Sequence, residues 1–160
     1  KIKGFNTTIS TGFCAGIDAV SYAADFIRLN RADMVLAGGV EELCEETFTG
    51  FYRLGCLSGM NGLDTICRPF DARRNGTLLA EGAAIVVLEE EKNASLRGAG
   101  ILAKISGSGN SFDPEAKMDF SHQGKGLKNA VRIALKDASL SPEDIDYISS
   151  CANSTKEPKT

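Results

Sequence analysis

Ala83–Leu88, within "GAAIVVLEE", are six apolar residues in succession. A strand without polar alternation has to bury both faces, so this stretch predicts a central strand covered on two sides. A second apolar run, "ADMVLAGG", stops at a pair of glycines and reads as a buried strand with a tight exit. "IKGFNTTIS", "GILAKISGSG" and "IDYISS" are further candidate strands, from their β-branched and aromatic content. Helical periods separate them. In residues 15–29 the polar positions Asp18, Ser21, Asp25 and Arg28 form one narrow stripe in otherwise apolar sequence, which predicts a buried helix. Residues 42–54 read as a second helix, and "KNASLRGA" as a short helical turn. From Gly126 onward, Leu127, Ala130, Val131, Ala134, Leu135 and Ala138 recur at helical spacing, away from Lys125, Lys128, Arg132 and Lys136. "SPED" at 141–144 offers Ser141 as an N-cap and Pro142 as the first helical residue. Strands alternating with helices indicate an α/β fold around a parallel or mixed sheet.

Residues 55–82 interrupt the alternation with a long segment rich in Gly, Asn, Arg and Pro. A loop of that length in a compact domain is usually functional or covers something. In its second part, "RPFDARRNGTLLAEGAA", Pro69 and Phe70 are placed to anchor the loop. Asp71, Arg73 and Arg74 are placed to pair, and Gly76 and Gly82 permit backbone that other residues resist. Glu81 needs partners if it is buried.

The 160 residues are one domain's worth of chain, and a net charge of −3 gives no reason to expect nucleic acid or an anionic membrane as partner. No apolar run approaches the roughly 20 residues needed to cross a bilayer, and the start has no signal-peptide pattern. Cys14, Cys44, Cys56, Cys67 and Cys151 form no C-x-x-C pair and His122 is the single histidine, so no metal site of familiar spacing is expected. The cysteines read as free thiols, and the chain as cytoplasmic. Lys1 at the start and "NSTKEPKT" at the end suggest a segment of something longer.

"STGFCAGIDAV" places Cys14 after a candidate strand and a sharp turn, where a helix begins. Unpaired N–H groups there favour a thiolate and can hold an oxyanion, so Cys14 is a candidate nucleophile; a packed, inert thiol is the alternative. His122 is the chain's one imidazole, in the polar loop "DFSHQGKG", and reads as solvated. "GSGNS" and "GKG" lack the spacing of phosphate loops. Glu89–Glu91 reads as a solvated strand end.

"ADMVLAGGVEE", "RPFDARRNGTLLAEGAAIVVLEE", "ALKDASLSPEDIDYI" and the frame around "IST…AG" together resemble, in order and spacing, the β-ketoacyl-acyl-carrier-protein synthases of the thiolase superfamily. These are the condensing enzymes of fatty acid and polyketide synthesis. The resemblance covers nearly the whole chain and implies a partial thiolase-like layered α/β fold, with a mixed sheet and buried helices. It places residues 1–92 at the end of the family's N-terminal half and 100–160 at the start of its C-terminal half. It implies no cofactor, with acyl carrier protein and an acyl thioester as partners in a homodimer or a heterodimer with an active ketosynthase.

The family carries its nucleophile in S-T-A-C-x-x-G. Aligned without a gap, Ser10, Thr11 and Gly16 match, and the nucleophile's position falls on Phe13 rather than Cys14. One residue along a helix is a rotation of about 100°, so Cys14 is expected to point elsewhere and pack as a small hydrophobe, while Phe13 is buried. The family's first histidine lies in N-A-H-G-T-S-T-P; here "SSCANSTK" puts Cys151 at that position, Asn153 and Lys156 replace Thr and Pro, and Ser154 and Thr155 still match. Asn75 and Thr77 replace the usual Asp and Phe of R-D-G-F. The resemblance implies substrate contacts at Thr77, Ser154 and Thr155. It also implies a ketosynthase-like subunit with an altered site, similar to the chain-length factors that shape a partner's acyl tunnel. The alternatives are an active condensing enzyme using the displaced thiol of Cys14, or a non-enzymatic scaffold.

Overall fold

The computed structural model describes residues 3–113 and 124–155. The elements in chain order are α1 (Ala15–Arg28), β1 (Met34–Glu41), α2 (Glu45–Arg53), β2 (Gly82–Glu89), α3 (Glu91–Leu96) and α4 (Lys125–Ala138), with single 3₁₀ turns at Met60–Gly62 and Pro142–Asp144. The chain forms two compact units. One comprises Lys1–Val40, Ala83–Ser111 and Asn129–Leu140; the other comprises Glu41–Gly82, Phe112–Lys128 and Ser141–Thr160.

The first unit is built on the pairing of β1 with β2 in a two-stranded antiparallel sheet. Gly38 is what lets the strands meet, since a Cβ there would stand 2.0 Å from the Ala84 carbonyl oxygen. On this sheet lies α1. Ala23 and Ala24 are buried with Ala37 of β1 and Leu88 of β2, and Val20, Ile27 and Val35 pack around them. Small side chains at the contact bring the helix close: Gly39 faces Gly16, and a Cβ on Gly39 would be 3.3 Å from the Gly16 Cα. The polar stripe of α1 is an anchor. Arg28 pairs with Asp137 of α4 at 3.1 Å and donates to the carbonyls of Ile105 and Ser106 at 3.4 and 3.1 Å. Asp137 also accepts from the Ser108 N–H at 2.9 Å. Gly107 and Gly109 of "GSGNS" pack directly on α4, where a Cβ on Gly109 would lie 2.1 Å from the Ala130 carbonyl oxygen. These glycines serve close packing.

Three expectations need correction. The helix at 15–29 forms, but it is not buried on most of its circumference: Ile17 is 73% exposed and Tyr22 43%. β2 forms as expected but is not central. It has one strand neighbour, and Ile85, Val86 and Val87 are exposed. "GFNTTIS", "GILAKISGSG" and "IDYISS" carry no ladder, so the sheet among the described residues is a two-stranded one and not the larger mixed sheet expected. The physical reason is common to all three. A strand exists only with hydrogen-bonded neighbours, and an apolar face is buried only by another layer; local sequence encodes the readiness for both but supplies neither. Glu89 also departs from a solvated strand end. It accepts a bidentate pair from Arg97, closest at 2.7 Å, with its side chain 12% exposed. Glu91 pairs with Lys104.

The second unit contains α2 and the long loop after it. Residues 54–81 stay irregular apart from the 3₁₀ turn and an isolated parallel bridge between Leu57 and Thr77. "SPED" makes one 3₁₀ turn, closed by a capping box in which the Ser141 N–H and hydroxyl both donate to Asp144 at 2.8 Å. His122 lies outside the described residues.

Candidate functional site

The turn before α1 carries the first group of candidates. Gly12 has φ of +83°, which favours glycine, and the Ala15 N–H donates to its carbonyl at 3.1 Å. Cys14 is the N-cap residue of α1, without a side-chain cap bond, and it is exposed. Phe13 is 88% exposed. Both residues therefore precede the helix, and the helical rotation expected to separate them does not apply. The expected packing of Cys14 and burial of Phe13 are likewise corrected. α1 meets the sheet from Gly16, which faces Gly39, and on through Val20, Ala23, Ala24 and Ile27, so the turn bearing Phe13 and Cys14 lies just ahead of that contact. The turn is held from behind. Asp18, in the first turn of α1, accepts from the Thr11 hydroxyl and from Asn110 Nδ2, the latter at 2.8 Å.

The second group lies in the other unit and is tied by hydrogen bonds. Ser154, 3% exposed and with φ of +69°, accepts the Arg68 N–H on its hydroxyl at 3.0 Å and the Gly76 N–H on its carbonyl at 3.1 Å. The Thr155 carbonyl accepts from Arg74 Nε at 3.1 Å, and its N–H and hydroxyl donate to Asn153 Oδ1. Thr77 is buried; its N–H donates to the Cys56 carbonyl and its carbonyl accepts the Ser58 N–H, each at 2.8 Å. Thr77, Ser154 and Thr155 thus converge on one loop. Cys151 is exposed at the centre of a tight turn in which the Ala152 N–H donates to the Ser150 carbonyl at 2.9 Å.

Ser58 and Asn75 organise the same loop, and no motif or periodicity singles out Ser58. Its buried hydroxyl accepts the Ile66 N–H at 2.9 Å and meets Asn75 Oδ1 at 2.6 Å, while Asn75 Nδ2 donates to the Asp64 carbonyl at 2.9 Å. Asn75, singled out only as a departure from R-D-G-F, is therefore a structural tie. The expected pairing of Asp71, Arg73 and Arg74 is present. Arg73 donates to both Asp71 carboxylate oxygens, at 3.2 and 3.0 Å, and Arg74 donates to the Asp71 carbonyl. The Arg73 side chain, then its backbone N–H, pulls the Asp71 carboxyl from the ordinary 3.8 down to about 2. Beside this loop an open cleft of about 370 Å³ is lined by Phe48, Tyr52, Leu57, Met60, Thr77 and Leu78, among others. Its lining mixes these apolar side chains with the hydroxyl-bearing residues Tyr52, Ser58, Thr65 and Thr77.

Residues 1–94 match the family described as Beta-ketoacyl synthase, N-terminal domain, and residues 102–158 match Beta-ketoacyl synthase, C-terminal domain. The chain belongs to the β-ketoacyl synthase family. It is 37% identical over 158 residues to 3-oxoacyl-[acyl-carrier-protein] synthase 2 of Rhizobium meliloti (strain 1021), covering 97% of this chain and 38% of that protein. One similar structure is titled as a type II PKS acyl-carrier protein in complex with its ketosynthase bound to the hexaketide. It has a TM-score of 0.87 and 37% identity over 93% of this chain and 37% of the other. A second, the ishigamide ketosynthase/chain length factor, has a TM-score of 0.80 and 39% identity over 89% and 34%. The chain spans little more than a third of the length of the relatives it matches.

Proposed function

We propose that this chain is part of a ketosynthase-like subunit of fatty acid or polyketide synthesis that does not itself condense acyl groups, and that it shapes the acyl pocket of an active partner. The observation that carries the reading is Phe13 at the family's nucleophile position, on the turn that introduces α1. A phenyl ring cannot form a thioester. It is also a large apolar body, favoured wherever acyl carbon rather than water surrounds it. Cys151 at the first histidine position supports the reading independently. A neutral thiol is a weak donor, and losing one preorganised oxyanion donor costs ~3–4 kcal/mol of transition-state stabilisation. The similar structure that pairs a ketosynthase with a chain length factor fits a heterodimer with an active ketosynthase, served by an acyl carrier protein bearing the acyl thioester. In this reading Thr77, Ser154 and Thr155 border the substrate, through the loop their backbones tie.

A specific observation favours the second reading, in which Cys14 acts as a displaced nucleophile: its thiol is exposed at the N-terminus of α1. One experiment separates the two. The full-length protein is incubated with a long-chain acyl-carrier thioester and its intact mass measured. No adduct is expected for the native sequence, and Phe13→Cys should restore acylation. A stoichiometric adduct on Cys14, absent in Cys14→Ala, would establish the displaced nucleophile instead.

A further inference from the structure

We infer that Asp18 is the positioning residue for the turn that bears Phe13, and that through it Asn110 of the "GSGNS" segment sets where the side chain at position 13 is presented. The inference rests on the proposal that position 13 is the family's nucleophile position. Thr11 lies just before Gly12 and Phe13, and Asp18 lies one helical turn beyond Cys14. Asp18 joins the two: its carboxylate accepts the Thr11 hydroxyl on one oxygen and Asn110 Nδ2, at 2.8 Å, on the other. Within the turn, the Ala15 N–H donates to the Gly12 carbonyl and the Asp18 N–H to the Cys14 carbonyl. Gly12 at positive φ adds a flexible joint at the point where direction is set.

The far end of the latch is rigid. Gly107 and Gly109 lie against α4 too closely to admit a Cβ, and Ser108 is bonded to Asp137, so Asn110 projects from a fixed segment. The carboxylate is suited to the task because both donors are neutral and both its oxygens are used, making two charge-assisted bonds in a fixed fork. An amide at position 18 keeps an oxygen for Asn110 and turns an N–H toward the Thr11 hydroxyl, which can accept. A methyl keeps neither.

The test uses the full-length protein with Phe13→Cys, so that acylation by an acyl-carrier thioester reports where the side chain at position 13 stands. Native Cys14 is an internal comparison one residue away. Adding Asp18→Ala should lower the acylation rate at position 13 by on the order of 100-fold, the cost of misplacing a reacting atom by about 1 Å. It should also spread the remaining label between position 13 and Cys14 in the peptide map. Asp18→Asn should restore most of both rate and selectivity, and Asn110→Ala should reproduce the loss if Asp18→Ala does not fold. A purely structural role would lower the unfolding midpoint and leave the labelling selectivity of the folded fraction unchanged. Acylation of Phe13→Cys that is indifferent to Asp18→Ala and Asn110→Ala would overturn the positioning role alone. No acylation of Phe13→Cys at all would overturn the nucleophile-position reading and this inference with it.

Discussion

Gly76 shows how one residue decides the shape of the tied loop. Its φ is +145°, and a Cβ would stand 2.3 Å from the Leu57 carbonyl carbon and 2.5 Å from the Ser58 nitrogen. Strain and overlap act together, so Gly76→Ala should cost about 3 kcal/mol or more, read as a lower urea midpoint of the full-length protein. A nearby residue gives the loop a dependence on acid. Asp71 is held at about 2 by Arg73, below its ordinary 3.8, so the folded state favours its ionised form. That contribution is complete above the unfolded value and is lost as pH falls from about 4 toward about 2. The pair is small in energy, because the Arg73 side chain is 78% exposed and solvent screens it. Acid titration of stability should show a shallow downward slope in that window, and Asp71→Asn should reduce it, since Asp137, Asp144 and Glu89 are also held below their ordinary values. An unchanged slope in the variant would assign the acid sensitivity to other carboxylates.

At the scale of elements, α4 is joined to α1 by a charge and to the 107–109 segment by close contact. Asp137 accepts the Ser108 N–H first and the Arg28 guanidinium second, and both hold its carboxyl below the usual range. The Arg28–Asp137 pair is about 40% exposed on each side, so a double-mutant cycle with Arg28→Ala and Asp137→Ala should give a small coupling that falls with added salt. Each single substitution should cost more than the coupling, since Asp137→Ala also orphans the Ser108 N–H and Arg28→Ala also removes the donor to the Ile105 and Ser106 carbonyls. Single costs no larger than the coupling would mean that these further bonds contribute nothing. The amphipathic pattern that announced α4 is real, but its Ala130 and Ala134 face glycines while Leu127 and Val131 remain exposed.

At the scale of the whole molecule, the two-stranded sheet leaves apolar side chains and strand edges open. Leu36, Val40, Ile85 and Val87 are each at least half exposed. Open edges invite pairing, and apolar patches mark surfaces that other layers or chains cover. The proposed heterodimer or homodimer is therefore expected to persist at micromolar concentration in sedimentation of the full-length protein. A stable monomer would count against it. No helix among the described residues is long and apolar enough to cross a membrane.

The positions of α1, α2, α3, α4, β1 and β2 were legible in the chain because they rest on local causes such as a 3.6-residue apolar period, an apolar run or a glycine pair. The proposed placement of Phe13 and Cys151 at reacting positions rests on motif spacing, which survives when a motif's chemistry changes. Burial was not legible. Ile85 and Val86 read as central because they are apolar, yet whether a face is covered depends on layers remote in sequence. Nor did the sequence reveal the ties from Ser154 to Arg68 and Gly76, or from Asp18 to Asn110. These span 86, 78 and 92 residues, and periodicity carries no information across such separations. Sequence determined where α1, α2, α3, α4, β1 and β2 form. The tertiary structure decided which polar groups meet, because hydrogen-bond partners are fixed by the closing of loops and not by the order of residues along them.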